Sequence, residues 1–160
     1  MPLRQIDLLR LGVGDAGEIL TLQRAAYVTE AQAHDDLSMP PLTQTLDQLR
    51  EELANPDVSA WGVREDGRLV ASVRTRLVDP VTAEVGRLVV APDWQGNGLG
   101  TAVLLAAEDR IQIEVTTIRL FTGERSHANQ RLYKRLGYAE TGRTPVGSYD
   151  VVHFAKARAR

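Results

Sequence analysis

Hydrophobic positions change their spacing several times along the chain, and each spacing predicts one kind of element. Apolar residues that recur every three or four positions predict helices, while apolar runs bounded by turn residues predict strands. The predicted strands cover residues 3–11, 58–63, 68–78, 83–91, 117–122, 138–142 and 148–157. The predicted helices run from 15 to about 33, from 43 or 45 to 54, from 99 to 114, and within 126–138. The resulting order, βααβββαβαββ, is typical of a mixed α/β protein with one domain over residues 1–160.

Glycine and proline divide these elements. Pro40 and Pro41 are expected to break the helical pattern, because proline disfavours helix at its own position and at the one before it. Asp66 and Gly67 lie between two predicted strands and give a strong hairpin signal. Gly137 supplies a C-terminal stop for the last helix.

The segment VVAPDWQGNGLGTAVLL, residues 89–105, places three glycines within five positions between a predicted strand and a predicted helix. The first N–H groups of a helix have no intrahelical partner and bind anions, and glycine lets the backbone approach a ligand closely. The segment lacks the Gly-Lys-Ser/Thr of a nucleotide P-loop and the spacing of a dinucleotide fingerprint. By itself it is compatible with a phosphate-binding loop and equally with a connecting turn.

A second motif distinguishes these interpretations. The pattern Val90, Pro92, Gln95, Gly98, Gly100 resembles the acetyl-CoA motif of the GNAT-type N-acetyltransferases, and NQRLYKRLGY at 129–138 resembles the fourth helix of that superfamily. The chain is therefore identified as a member. The resemblance implies the GNAT fold, a central mixed sheet of six to seven strands flanked by four helices, with acetyl-CoA as donor and CoA as product.

The same resemblance implies a set of cofactor-binding residues. Backbone groups of Leu88, Val89 and Val90 are expected to bond the pantetheine arm between two splayed strands. N–H groups of the loop are expected to hold the pyrophosphate. The loop residues concerned are Gln95, Gly96, Asn97, Gly98, Leu99, Gly100 and Thr101. Asn129, and after it Ser126, are the expected side-chain contacts of CoA, with helix capping as the other role open to Ser126.

Two residues are expected to move protons. Tyr133 matches the family tyrosine that protonates the departing thiolate, and a phenol with a pKa of about 10 holds its proton at neutral pH. Glu84 lies eleven residues before Gln95 and matches the strand glutamate that acts as base in histone-acetylating members. The alternative interpretation of Glu84 is a surface carboxylate on an edge strand. Glu124 and His127 are alternatives, and some members use no dedicated base.

The acceptor site of such enzymes usually lies between the first two helices. Here that segment carries Tyr27, Glu30, Asp35 and Asp36, and Tyr149 precedes the last strand. These acidic and aromatic residues suit a cationic amine. The alternative interpretation of each one is a solvated surface residue without a role in binding. The stiff Pro-Pro step favours a preformed pocket for a small primary amine.

Composition narrows the function classes further. The net charge is −2 and the basic residues are dispersed, which argues against nucleic acid as a partner. The chain has no cysteine, so direct transfer in a ternary complex is expected rather than a cysteinyl acyl-enzyme. We expect no metal, no membrane span and no signal peptide, and hence a cytoplasmic protein. The resemblance allows a homodimer, which no sequence feature decides.

Three other functions remain open at this level. The chain could be a non-catalytic sensor or partner module that binds acyl-CoA. It could also be a protein or peptide N-acetyltransferase, or an enzyme that acylates oxygen or transfers a longer acyl group.

Overall fold

A seven-stranded sheet forms the frame of the computed structural model, which describes residues 5–158. Its strands are β1 (Leu9–Leu11), β2 (Val58–Glu65), β3 (Arg68–Asp79), β4 (Thr82–Val90), β5 (Thr117–Gly123), β6 (Ala139–Pro145) and β7 (Asp150–Ala157). The helices are α1 (Ala16–His34), α2 (Pro40–Thr43), α3 (Leu46–Ala54), α4 (Leu99–Arg110) and α5 (His127–Arg135). The predicted mixed α/β fold and its element order are confirmed, with one short helix added.

The strand order across the sheet is β1-β2-β3-β4-β5-β7-β6. All neighbours are antiparallel except β4 and β5, which run parallel because α4 crosses between them. β3 lies near the middle, and its residues 69–75 are all buried, since α1 and α4 both pack on it. Among residues 5–158, no helix is long and apolar enough to cross a lipid bilayer.

Several predicted boundaries are wrong, each for a local reason. The first strand covers only 9–11 rather than 3–11, and residues 1–4 lie outside the described residues. The first helix ends before Pro40 as predicted, but Pro40 itself starts the short helix α2, because the first helical position needs no N–H donor. α4 ends at Arg110 rather than at 114. Ile111 keeps the helical spacing because its side chain is buried, but its backbone is extended.

A buried arginine joins three helices to the sheet. Arg74 on β3 donates from Nη1 to Oε1 of Gln23 at 3.0 Å, and its Nε lies 2.8 Å from a carboxylate oxygen of Glu52. Gln23 in turn donates to the carbonyl oxygen of Pro41 at 2.8 Å. Desolvation lowers the pKa of Arg74 to about 10, so the guanidinium stays charged at neutral pH. This network holds α2 against α1 and β3.

A buried histidine connects the C-terminal end of α1 to the turn between β5 and α5. His34 is fully buried, its Nδ1 donates to the carbonyl oxygen of Glu30 at 2.8 Å, and the N–H of Arg125 donates to its Nε2 at 2.9 Å. These two bonds require the neutral ring with its proton on Nδ1. The ring also packs against Tyr149, with centroids 4.5 Å apart.

Space for this ring depends on the glycine at the end of β5. A Cβ added to Gly123 would lie 2.3 Å from Nε2 of His34 and 2.5 Å from its Cε1. Gly123→Ala should therefore displace the ring and lower the free energy of unfolding by about 1–3 kcal/mol. Urea unfolding followed by circular dichroism measures this change.

Gly17→Ala is the matched control, because nothing lies within 4 Å of its added Cβ and the position is helical. We expect it to be neutral or to raise stability by up to about 1 kcal/mol. Equal stability of the Gly123 variant and the wild type would contradict the role of His34 as a buried connection.

Candidate active site

The site forms where two parallel strands stop pairing. β4 and β5 pair at only three positions, the last of which sets Glu84 opposite Arg119. Beyond this point β4 continues through Val90 and β5 through Gly123, and a cavity of about 680 Å³ opens beside them. The side chains in its wall that carry polar chemistry include Tyr27, Glu30, Asp36, Arg87, Asn129, Tyr133 and Tyr149. The cavity is thus lined by one unpaired strand edge and by groups from α1 and α5.

A bulge in β4 accompanies the separation of the strands. Arg87 and Leu88 together lie opposite the single residue Val73 of β3, between the pairs that Gly86 and Val89 make with that strand. Arg87 has a left-handed backbone, with φ of +52°. Bulges bend a strand and increase its twist, and strained residues of this kind concentrate at functional sites. The edge of β4 that faces the cavity is therefore free to bond a ligand.

The glycine segment follows this edge as a turn and a helix N-terminus. Gly96 and Gly98 have φ of +84° and +83°, and Gly98 is the N-cap of α4. Gln95 folds back and donates from Nε2 to the carbonyl oxygen of Val90 at 3.0 Å. The first N–H groups of α4 lack intrahelical partners and carry the positive end of the helix dipole. Their chemistry fits the pyrophosphate of CoA, and the free β4 edge fits an extended amide chain.

Tyr133, the residue expected near the departing thiolate, lies in the cavity wall on α5. The residue is buried, with 7% of its surface exposed, and its ring packs edge-on against Phe154 at 5.7 Å between centroids. Desolvation, and then the neighbouring charges of Tyr27 and Glu30, raise the pKa of its hydroxyl. Tyr133 is thus held in its protonated form at neutral pH.

The two side chains expected to contact CoA differ in their surroundings. Asn129 lies in the cavity wall and donates from Nδ2 to Oγ1 of Thr122 at 3.3 Å. Ser126 precedes α5 without a side-chain capping bond, and its hydroxyl donates to a carboxylate oxygen of Glu30. The structure therefore leaves Asn129 beside the cavity and engages Ser126 with an acidic residue of α1.

The predicted acceptor residues are brought together in part. Glu30 lines the cavity, and desolvation raises the pKa of its carboxyl. Asp36 also lines it and accepts a hydrogen bond of 2.6 Å from the hydroxyl of Tyr149, whose pKa desolvation and that carboxylate raise to about 12. Asp35 is exposed, forms the left-handed cap of α1 and lies outside the wall.

Glu84 has a different environment from the cavity groups. It lies in the last paired section of β4, and its carboxylate is 3.4 Å from Nη2 of Arg76 and 3.4 Å from Nη2 of Arg119. The described wall of the cavity does not include it. Of the alternatives, Glu124 accepts the N–H of Asp150 at 2.8 Å, and His127 is exposed at the start of α5. Glu30 is the carboxylate whose charge helps to raise the pKa of the Tyr133 hydroxyl.

Arg87 in the cavity wall, and His34, which holds the end of α1 beside it, could not be found from the sequence. Arg87 stands in an apolar strand pattern, and only the bulge turns its side chain into the cavity wall. His34 was passed over because a lone histidine at a helix end has no distinguishing pattern. Among residues 5–158, no three His, Asp or Glu side chains are grouped so that they could hold a metal ion.

Known proteins share both the sequence motifs and this architecture. The family model for the acetyltransferase (GNAT) family matches residues 20–138. A mycothiol acetyltransferase of Acidothermus cellulolyticus is 34% identical over 79 residues, which are 49% of this chain and 23% of that protein. The chain therefore spans less than a quarter of that relative's length.

Solved structures match almost the whole chain at low identity. The PaiA N-acetyltransferase of Thermoplasma acidophilum, solved with coenzyme A, has a TM-score of 0.79 and 17% identity over 97% of this chain and 100% of its own. The ribosomal-protein-S18-alanine N-acetyltransferase of Escherichia coli has a TM-score of 0.78 and 19% identity, over 96% and 94% of the two chains. At these identities the likeness shows the fold.

The chain belongs to the GNAT acetyltransferase family, because the family match covers well over half of it. The predicted superfamily is confirmed. The matched family is a family of acetyltransferases, which is the class that the motifs predicted.

The tyrosines of the site predict a distinctive titration. Burial raises the pKa of all four tyrosines of the chain, that of Tyr149 to about 12. At about pH 10 the unfolded chain should have half of its tyrosines ionised, whereas the native protein should have few. Since the unfolded state then binds fewer protons than the native state, stability should fall as the pH rises above about 10. Tyrosinate absorbance, measured with and without urea, tests both statements. Native and unfolded midpoints that coincide would contradict the described environments.

Proposed function

We propose that this protein is an acetyl-CoA-dependent N-acetyltransferase that acetylates a primary amine of a small molecule by direct attack in a ternary complex. The observation that carries the proposal is the cavity itself. One wall is a strand edge without a partner, and the opposite wall holds a protonated phenol and a carboxylate. Such a cavity offers room for a donor chain and an amine together.

The donor is proposed to follow β4 into the cavity. Backbone groups of Leu88, Val89 and Val90 would bond its pantetheine amides, and the loop of residues 95–101 would hold its pyrophosphate at the N-terminus of α4. Asn129 lies across the cavity from this edge and can contact the same chain. Acetyl-CoA supplies the acetyl group as a thioester, whose sulfur would lie near Val90.

Proton transfer is proposed to involve one group on each side of the reacting atoms. Glu30 takes a proton from the ammonium group, so that the amine nitrogen can attack the thioester carbon. The new C–N bond forms, the C–S bond breaks, and Tyr133 gives its proton to the departing sulfur. The nitrogen loses its second proton, which restores Tyr133, and Glu30 releases one proton to solvent. A carboxyl with a raised pKa is better suited to this role than an ordinary surface carboxylate.

The acceptor is proposed to be small because the cavity is closed on its α1 side. Pro40 and Pro41 form part of the wall, and Arg74 holds this segment through Gln23. The names of similar proteins refer both to mycothiol and to a ribosomal protein, so the fold does not select an acceptor class. The cysteine-free sequence suits a reducing compartment, which supports the proposed cytoplasmic location.

A broad amine panel with acetyl-CoA, read as free thiol, tests this function. Thiol release that depends on a small amine, with a matching acetylated product by mass spectrometry, is the expected result. Release only with a peptide or lysine-containing protein would replace the small-molecule acceptor by a protein. Tight CoA binding without release for any amine would indicate the acyl-CoA sensor.

The proposed acid gives a direct prediction. Tyr133→Phe keeps the ring packing on Phe154 but removes the proton, so kcat should fall by about 100-fold or more. The dissociation constant of acetyl-CoA, measured by calorimetry, should stay within a few-fold of wild type. Unchanged kcat would remove Tyr133 from the mechanism.

The proposed base can be separated from the one predicted by resemblance. Glu30→Gln should lower kcat/KM for the amine by about 100-fold, whereas Glu84→Gln should lower it by only a few-fold. Both variants keep the shape of the side chain, and pre-steady-state rates on one amine compare them directly. The opposite ranking would return the role of base to Glu84.

A further inference from the structure

Arg87 lies in the cavity wall at the β4 bulge, beside a hydroxyl of α1. Its guanidinium acts on Tyr27: desolvation raises the pKa of that hydroxyl, and the charges of Arg87 and then Arg74, together with a side-chain hydrogen bond from Arg87, lower it again in part. Glu30, one helical turn after Tyr27, acts on the same hydroxyl in the opposite sense. The cavity therefore has a guanidinium and a carboxylate within electrostatic reach of one tyrosine.

The guanidinium of Arg87 has no carboxylate partner among residues 5–158. Other arginines of the sheet are paired there: Arg74 with Glu52, and Arg76 and Arg119 with Glu84. The Nε atom of Arg87 is buried and makes no hydrogen bond within the same residues. A buried N–H donor without a partner is costly, as Nε is here. A planar guanidinium has five N–H donors, so Arg87 can bond Tyr27 and still bind a carboxylate through two parallel hydrogen bonds.

We propose that the acceptor is an amine that also carries a carboxylate, of the amino-acid class, and that Arg87 binds this carboxylate while Glu30 faces the ammonium group. This inference rests on the proposed N-acetyltransferase function and specifies its substrate. A zwitterion complements both charges of the cavity, whereas a simple polyamine would leave the guanidinium without a carboxylate and would be repelled by it. Arg87 would then decide specificity without taking part in proton transfer.

The donor is a weaker partner for Arg87. The anionic part of acetyl-CoA is its pyrophosphate, whose proposed seat is the loop of residues 95–101, beyond the end of β4 at Val90. Arg87 precedes that end and faces α1, on the acceptor side of the cavity. A guanidinium at this place is therefore better situated for a group on the amine than for the phosphates.

The test uses acceptor pairs that differ only in the carboxylate, such as phenylalanine with 2-phenylethylamine, and tyrosine with tyramine. Wild-type kcat/KM should favour the amino acid of an accepted pair by about tenfold or more, because a site built to bind a polar group rejects an analogue that lacks it. Arg87→Gln should reduce this ratio to near one, mainly through KM of the amino acid. Arg87→Lys, which keeps the charge but not the planar fork, should retain part of the ratio.

Arg50→Gln is the matched control, because Arg50 is exposed on α3 and pairs only with the neighbouring Asp47 among the described residues. It should leave the ratio at the wild-type value. A wild-type preference for the decarboxylated amines, an equal loss for both members of a pair in Arg87→Gln, or a main effect on KM of acetyl-CoA would each overturn the proposal. Absence of transfer to every amine would overturn the proposed function itself, whereas transfer without a carboxylate preference would overturn only the role of Arg87.

Discussion

The end of pairing between β4 and β5 is the constraint on which the site depends. A parallel ladder that continued beyond Glu84 and Arg119 would satisfy the backbone of both strands and leave no cavity. The bulge at Arg87 and Leu88 bends β4 at this point, and the free edge leads to the glycine loop and the N-terminus of α4. A single interruption of the sheet thus produces the free strand edge and opens the space into which α1 and α5 direct their side chains.

The position of α1 then determines what the cavity can do chemically. Its residues Tyr27 and Glu30 reach the cavity because the helix is held at two separate places. Gln23 joins it to Arg74 on β3, and His34 joins its end to the backbone of Arg125. Gln23 and His34 are both buried, so breaking either hydrogen bond would leave a buried polar group without a partner and would lower the stability of the fold. These two connections keep the acidic groups of α1 opposite Tyr133.

Much of the local structure could be predicted from the sequence, because spacing and turn residues act over short distances. The hairpin at Asp66 and Gly67 and the strand, loop and helix around Gly98 are examples. Predictions were wrong where burial imitates a periodicity, as at Ile111, or where proline has a second use, as at Pro40. Asn129 and Ser126 could be named as candidate contacts of CoA, but the bond from Ser126 to Glu30 could not be predicted, since it joins residues 96 positions apart.

By itself the sequence determined the family and the order of elements, because the glycine loop and the segment around Tyr133 are motifs whose chemistry lies in a few neighbouring residues. Only the tertiary structure decided which charged groups face one another. It separated Glu84 from the cavity by pairing it with two arginines, and it brought Glu30 to Ser126 and Arg87 beside Tyr27. The reason is physical: burial and charge pairing depend on contacts between distant segments, and spacing along the chain carries no information about them.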